Sequence, residues 1–186
     1  MLERTFVLIK PECVYRAMAG RVISRLEDAG LRIVALRMLA PDRRLAGLHY
    51  GYDRRWLINV GEKSIAAYRA RGVPVVETAM QIGARVRKGL INALANKPVM
   101  AIVVEGNEAI SAVRKMIGGT EPKCADPSSI RGSLSTDSYD AADAAKRPIR
   151  NLVHASEDRR SAEREIALWF GRSETLRYAR ADQQYI

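Results

Sequence analysis

The spacing of apolar positions along the chain marks out a series of strands and helices. Residues 5–10 carry an apolar run, Phe6 to Ile9, closed by Lys10 and stopped by Pro11, which reads as a buried strand. Val22, Ile23, Leu26 and Ala29 then share one face at helical spacing, and Gly30 stands where such a helix ends. Residues 31–39 are rich in branched side chains and alternate in part, as a second strand does. Pro41 can open a short helix reaching Leu48, because a proline in the first turn loses no hydrogen bond.

The texture changes over residues 51–96. A helix is predicted over 62–71, Gly72 and Pro74 punctuate, and a second helix shows Ile82, Val86, Leu90 and Leu94 at intervals of four. That narrow stripe is a packing feature, suited to the rest of the domain or to a subunit interface. Residues 99–105 form the third strand. A helix over 107–117 follows, with Ile110, Val113 and Ile117 facing inward and Gly118 and Gly119 ending it. Residues 121–137, rich in Pro, Ser and Gly, read as loop, and 138–150 as polar and patternless. A short strand over 151–154 precedes a helix over 158–170 that places Ala162, Ile166, Trp169 and Phe170 on one side. This order is that of the split βαβ. It predicts an α+β, ferredoxin-like fold: a four-stranded antiparallel sheet with helices on one face, plus a mainly helical insertion. We expect one domain over residues 1–186, with insertions at about 51–96 and about 135–150.

Composition narrows the class. With 47% hydrophobic and 28% charged residues, disorder and fibrous folds are excluded. The longest apolar run, Val99 to Val104, is far too short to span a bilayer, and nothing at the N-terminus resembles a signal peptide. Cys13 and Cys124 form no metal-binding or disulfide pattern, so the expectation is a reduced, cytoplasmic protein without membrane contact or a protein-held metal. Charge adds a direction. The net +10 is uneven: residues 51–100 hold nine basic against three acidic residues, which favours anionic partners.

Two constellations could carry chemistry. His49, beside Tyr50 at the end of a short helix, suits a surface or capping role. His154 ends a short apolar strand among Asn151, Ser156 and Glu157, with Glu165 on the following helix able to fold back. A nucleophilic imidazole needs an oriented ring and one unprotonated nitrogen, and such neighbours provide both. The second set is cationic: Lys10 at a strand end, Arg114 on a helix and Arg131 in a loop, all suited to phosphate oxygens. Neither a P-loop nor a G-x-G-x-x-G run is present, so side chains would have to hold any phosphate.

With these residues in view, the chain resembles the nucleoside diphosphate kinase family. The resemblance runs through residues 3–12, 30–39 and 49–50, resumes at 98–106 and 113–122, and continues through Ser129-Ile130-Arg131-Gly132, Asn151-Leu152-Val153-His154-Ala155-Ser156, residues 161–166 and Trp169-Phe170. It covers about two-thirds of the chain, and the Asn-x-x-His-[Gly/Ala]-Ser motif is its most specific part. The resemblance implies that His154 is the phosphate-accepting nucleophile in a ping-pong transfer from nucleoside triphosphate to nucleoside diphosphate. It further implies Lys10, Arg114, Thr120 and Arg131 as phosphate ligands, Asn151 with Lys10 as sugar-hydroxyl contacts, and Tyr50, Ser156 and Glu165 as the shell that positions the histidine. Mg²⁺ would arrive on the nucleotide phosphates, and a homo-oligomer, a hexamer or another dimer-based assembly, is expected.

The chain departs from the family pattern in three places. The segment between Tyr50 and Pro98 is long and replaces the region that stacks an aromatic on the base, for which Trp56 is a candidate. Arg131-Gly132-Ser133-Leu134 stands where the family has Arg-Gly-Asp-Phe, and Ala155 and Glu157 where Gly and Asp are frequent. A nucleic-acid module is the rival reading, and a weak one, since strands one and three offer only Phe6 for base stacking.

Overall fold

The computed structural model describes residues 2–51 and 53–181. By its internal contacts the chain forms two compact units, one of residues 1–40 and 97–186 and the other Pro41–Asn96.

The first unit is built on strands β1 (Leu2–Ile9), β2 (Arg32–Leu39), β3 (Val99–Asn107) and β4 (Val153–Ala155), in the order β2-β3-β1-β4 with every pairing antiparallel. Its helices are α1 (Pro11–Tyr15), α2 (Ala19–Asp28), α6 (Ala109–Ile117), α7 (Ile130–Leu134), α8 (Tyr139–Ala144) and α9 (Arg159–Trp169); α3 (Arg43–His49), α4 (Arg54–Ala70) and α5 (Ala79–Leu94) form the second unit. This is the expected split βαβ.

Period-two alternation along β1 sorts the core. Val7 and Ile9 join Ile102 and Val104 of β3 in one apolar cluster with Val22 and Leu26 of α2 and Val113 and Ile117 of α6. Phe6 points the other way and stacks on Trp169 of α9, ring centroids 5.6 Å apart. Helix α9 therefore adds a layer on the second face, beyond the one-faced helical cover expected. The edge strand β2 is bulged between Ile33 and Ala35. Its edge is partly covered by the C-terminal segment, where Leu176 N–H reaches Val34 O at 2.8 Å, which blunts an otherwise open row of donors and acceptors.

Several local expectations need correction. Strand β3 runs on to Asn107, so α6 starts later than predicted and buries Ala109, while Ile110 is only half-buried. The predicted loop contains a 3₁₀ turn (Pro122–Cys124) and α7, the latter capped by Ser129, whose hydroxyl accepts from Gly132 N–H at 3.1 Å. The patternless stretch holds α8, and it is pinned at its ends by Asp137. That carboxylate takes two hydrogen bonds from Arg147 and one from Arg150 N–H, each 2.7 Å. Polar capping organises these segments, so apolar periodicity could not reveal them.

In the second unit α4 begins at Arg54, well before the predicted 62, with Asp53 accepting from Trp56 N–H at 2.9 Å. Gly61 is a contact point: a Cβ there would collide with the backbone of Ala79, and one on Gly83 would collide with Leu57 O. The two glycines let α4 and α5 approach backbone to backbone as an antiparallel pair. The buried positions of α5 are Ile82, Gly83, Ile91 and Leu94; Val86 and Leu90 are only half-buried, because a strict interval of four drifts around a 3.6-residue helix. Arg87 ties α5 to the end of α3 through Gly47 O at 2.7 Å and Gly51 O at 2.9 Å, and Asn96 N–H closes the unit on Pro41 O at 2.7 Å. His49 is buried at 2% exposure, with its ring edge-on to Tyr50, rather than on the surface.

Replacing Gly83 with valine should force α4 and α5 apart and cost about 1–3 kcal/mol, as overpacking does. Urea unfolding checks this; an unchanged midpoint would show that the helices can separate freely.

Candidate functional site

Strand alternation places the histidine. In β4, Val153 and Ala155 join the main core, so His154 between them points to the opposite face, paired across from Leu8 and with its ring 6.4 Å from that of Phe6. Its side chain keeps 30% exposure. Helix α9 brings Glu165 beneath it. Asp158 caps that helix by accepting from Ser161 N–H at 2.7 Å, and Trp169 locks it onto Phe6.

Glu165 is buried. Its Oε2 lies 3.0 Å from His154 Nε2 and accepts from Ser156 Oγ at 2.7 Å, while Arg164 donates to Oε1 at 3.1 Å. An ionised carboxylate can only accept, so the tautomer that satisfies this contact carries its proton on Nε2 and leaves the lone pair on Nδ1. Glu165 and Ser156 thus fix both the ring's orientation and its tautomer.

The backbone just before the strand is unusual. Leu152 has φ +68°, and Val153 N–H bonds Asn151 O at 2.7 Å, a two-residue closure that makes Leu152 the centre of a left-handed γ-turn. Such a turn is rare for a branched residue and is held only by its surroundings. Here Leu152 N–H donates to Glu12 Oε1 at 3.2 Å, Leu152 O accepts from Lys10 N–H at 2.8 Å, and the side chain is fully buried in the core.

The cations gather around this turn. Lys10 Nζ donates to Asn151 Oδ1 at 2.8 Å and lies 3.6 Å from Glu12 Oε1, and the Asn151 amide donates to Thr120 O at 3.1 Å. Burial pushes the Lys10 pKa down, Glu12 opposes that, and Arg131 adds to it. Arg131 is also buried and donates to Asn151 O at 3.2 Å, Gly118 O at 2.8 Å and Val153 O at 2.8 Å. Burial first, and the charge of Arg114 second, bring its pKa down to about 10. Arg114 itself is exposed in the last turn of α6, and Thr120 is exposed just beyond Gly118, whose φ of +80° ends the helix.

Of the residues singled out in the sequence, Lys10, Arg114, Thr120, Arg131, Asn151, His154, Ser156 and Glu165 all lie in the first unit. Tyr50 belongs to the second, at the end of α3, where its ring meets that of His49 at 4.8 Å. Trp56 lies there too, packed over Gly51 so closely that a Cβ on that glycine would meet the indole at 2.6 Å. Sequence reasoning missed Glu12, Leu152 and Arg164. Glu12 had a signal: in Lys10-Pro11-Glu12 the proline starts a helical turn that folds the carboxylate back over the strand end. Leu152 had none, since a left-handed leucine leaves no trace in composition.

Comparison with known proteins identifies the family. The family model described as "Nucleoside diphosphate kinase" matches residues 3–56 and 80–175. A "Nucleoside diphosphate kinase" of Pyrobaculum aerophilum is 37% identical over 180 residues, spanning 94% of this chain and 98% of that protein. Among solved structures, an NDP kinase from Pyrobaculum aerophilum superposes with a TM-score of 0.90 at 36% identity, over 95% of this chain and 100% of that one. A transition-state mimic of the nucleoside-diphosphate kinase from Borrelia burgdorferi, with bound vanadate and ADP, gives 0.81 at 36% identity, over 99% and 96%.

The two arginines should separate in a stability measurement. Arg131→Ala strips donors from three carbonyls and should cost about 3 kcal/mol, whereas Arg114→Ala should stay within about 0.5 kcal/mol. Equal unfolding midpoints for the two variants would contradict this.

Proposed function

Because the chain belongs to the nucleoside diphosphate kinase family, we propose that it moves the γ-phosphate of a nucleoside triphosphate to a nucleoside diphosphate by way of a phosphohistidine on His154. The observation that carries this reading is the contact of His154 Nε2 with the buried, hydroxyl-supported Glu165. It leaves the Nδ1 lone pair to attack the γ-phosphorus in line. As the N–P bond forms, the bond from phosphorus to the β-phosphate oxygen breaks, and the diphosphate leaves with that electron pair. Positive charge developing on the ring is stabilised by Glu165 through the Nε2 proton. A second nucleoside diphosphate then attacks the phosphorus, the N–P bond breaks, and the neutral ring is regenerated.

In this reading Lys10, Arg114, Arg131 and Thr120 bind the phosphates. Arg131 has five N–H donors, and its three backbone contacts leave capacity for an anion. Asn151 and Lys10, already bonded to each other, present donors to the sugar hydroxyls, and Ser156 and Glu165 support the histidine. Mg²⁺, which neutralises phosphate charge when bound, fits this residue set. The carboxylates beside the cations and the histidine, Glu12 and Glu165, are committed to Leu152, Lys10, Ser156 and His154, so a Mg²⁺ ion would have to be carried in by the nucleotide rather than held by these side chains. Among the described residues no helix is long and apolar enough to cross a membrane. The proposal extends to a cytoplasmic homo-oligomer, hexameric or otherwise built from dimers, in which residues of about 51–96 and 135–150 are insertions in one family domain.

Incubation with γ-labelled ATP and Mg²⁺ should label the protein, and a different diphosphate should then remove the label. The adduct should be acid-labile and alkali-stable, and placed on Nδ1 by NMR. His154→Asn should abolish labelling and His49→Asn should not; a labelled His154→Asn protein would end the proposal. Arg114→Ala should lower kcat by about 10²–10³, and a loss below about fivefold would remove that residue from the phosphate site.

A further inference from the structure

We propose that Glu12 is a positioning residue for this reaction, its Oε1 acting at once on the Lys10 ammonium and on the strained turn that aims His154. The inference rests on the function proposed above and adds a residue with a separable role.

The geometry concentrates two tasks on one oxygen. Glu12 Oε1 accepts from Leu152 N–H at 3.2 Å and lies 3.6 Å from Lys10 Nζ. With Lys10 N–H on Leu152 O at 2.8 Å, residues 10–12 satisfy both polar groups of the left-handed Leu152. A buried N–H in a strained γ-turn has no strand partner to fall back on, so without Glu12 the turn loses one of its two holds. Asn151 and His154 flank Leu152 closely, one residue before it and two after. A small rotation of the turn therefore displaces both, and an offset of about 1 Å at a reacting atom can cost about 10²-fold in rate.

The second task is electrostatic. Lys10 is buried beside Arg131, and both burial and that neighbour disfavour its charged form. Glu12 is the acidic group opposing them. Its carboxylate is also felt by Arg147, from the segment after α8, and by the buried Cys13 of α1. A neutral side chain at position 12 would let Lys10 lose its proton at a lower pH. The alkaline limb of the pH profile, where the folded Lys10 deprotonates, must then move downward.

Two substitutions separate the tasks. Glu12→Gln keeps an acceptor for Leu152 N–H but removes the charge, and Glu12→Ala removes both. Single-turnover labelling with γ-labelled ATP and Mg²⁺ should proceed in Glu12→Gln within about threefold of wild type at pH 7, with the alkaline limb of kcat/KM lowered by about one pH unit. In Glu12→Ala the labelling rate should fall by about 10²-fold. Glu12→Asp should restore part of that loss. A Glu12→Gln profile superimposable on wild type would overturn the electrostatic role, and wild-type labelling by Glu12→Ala would overturn the positioning role. Either outcome is distinct from a failure of the proposed function, in which the wild-type protein itself would not be labelled.

Discussion

The left-handed conformation of Leu152 is the constraint on which the site depends. It turns the chain sharply between Asn151, whose amide must face inward to Lys10 and Thr120, and the short strand β4, whose alternation sends His154 to the opposite face. A conformation this costly, about 1–3 kcal/mol for a non-glycine residue, survives only where its surroundings overdetermine it. Core packing of the side chain, Lys10 N–H on the carbonyl and Glu12 on the amide supply that. The end of β1 and the start of β4 are therefore parts of one local structure, though about 140 residues separate them in sequence.

The same economy governs the charges. Lys10 and Arg131 are buried cations, and burying a charge without partners is expensive. The fold meets the cost chiefly with oxygen dipoles: the Asn151 amide for Lys10, and the carbonyls of Gly118, Asn151 and Val153 for Arg131, with Glu12 as the nearby carboxylate. Both groups are left undercompensated, which is why their pKa values fall. Glu165 shows the complementary case. Its buried charge is matched by Ser156, Arg164 and the histidine, so its geometry is fixed before any substrate arrives.

What the sequence revealed follows from which forces leave a periodic signature. Strands β1 and β3 are continuous apolar runs, and helices α2 and α9 carry apolar faces, so their order and the split βαβ could be read directly. The family resemblance around His154 could be read because the Asn151 to Ser156 motif is local. Helices α7 and α8 could not, since Ser129, Ser138 and Asp137 hold them by polar bonds rather than by an apolar stripe. Gly61 and Gly83 are a related case. Glycine in a sequence announces backbone freedom, and only a neighbouring helix shows that here it serves close approach. The γ-turn was invisible because its cause lies in residues 10–12, far away along the chain.

The two sources of positive charge act in different ways. The basic surplus of residues 51–100 is a surface property, and its field on an approaching anion is screened beyond about 8 Å at physiological ionic strength. Lys10 and Arg131 are buried, so salt screens them little, and burial lowers the pKa of both. An anion brought close to them would raise both values. By linkage, these cations would hold such an anion most strongly where both are protonated, and the hold would weaken as pH rises towards the depressed Lys10 value and the value of about 10 for Arg131. The strain, the buried cations and the fixed imidazole are thus three expressions of one arrangement, a backbone turn that brings Lys10, Arg131 and Asn151 together beside the strand that carries His154.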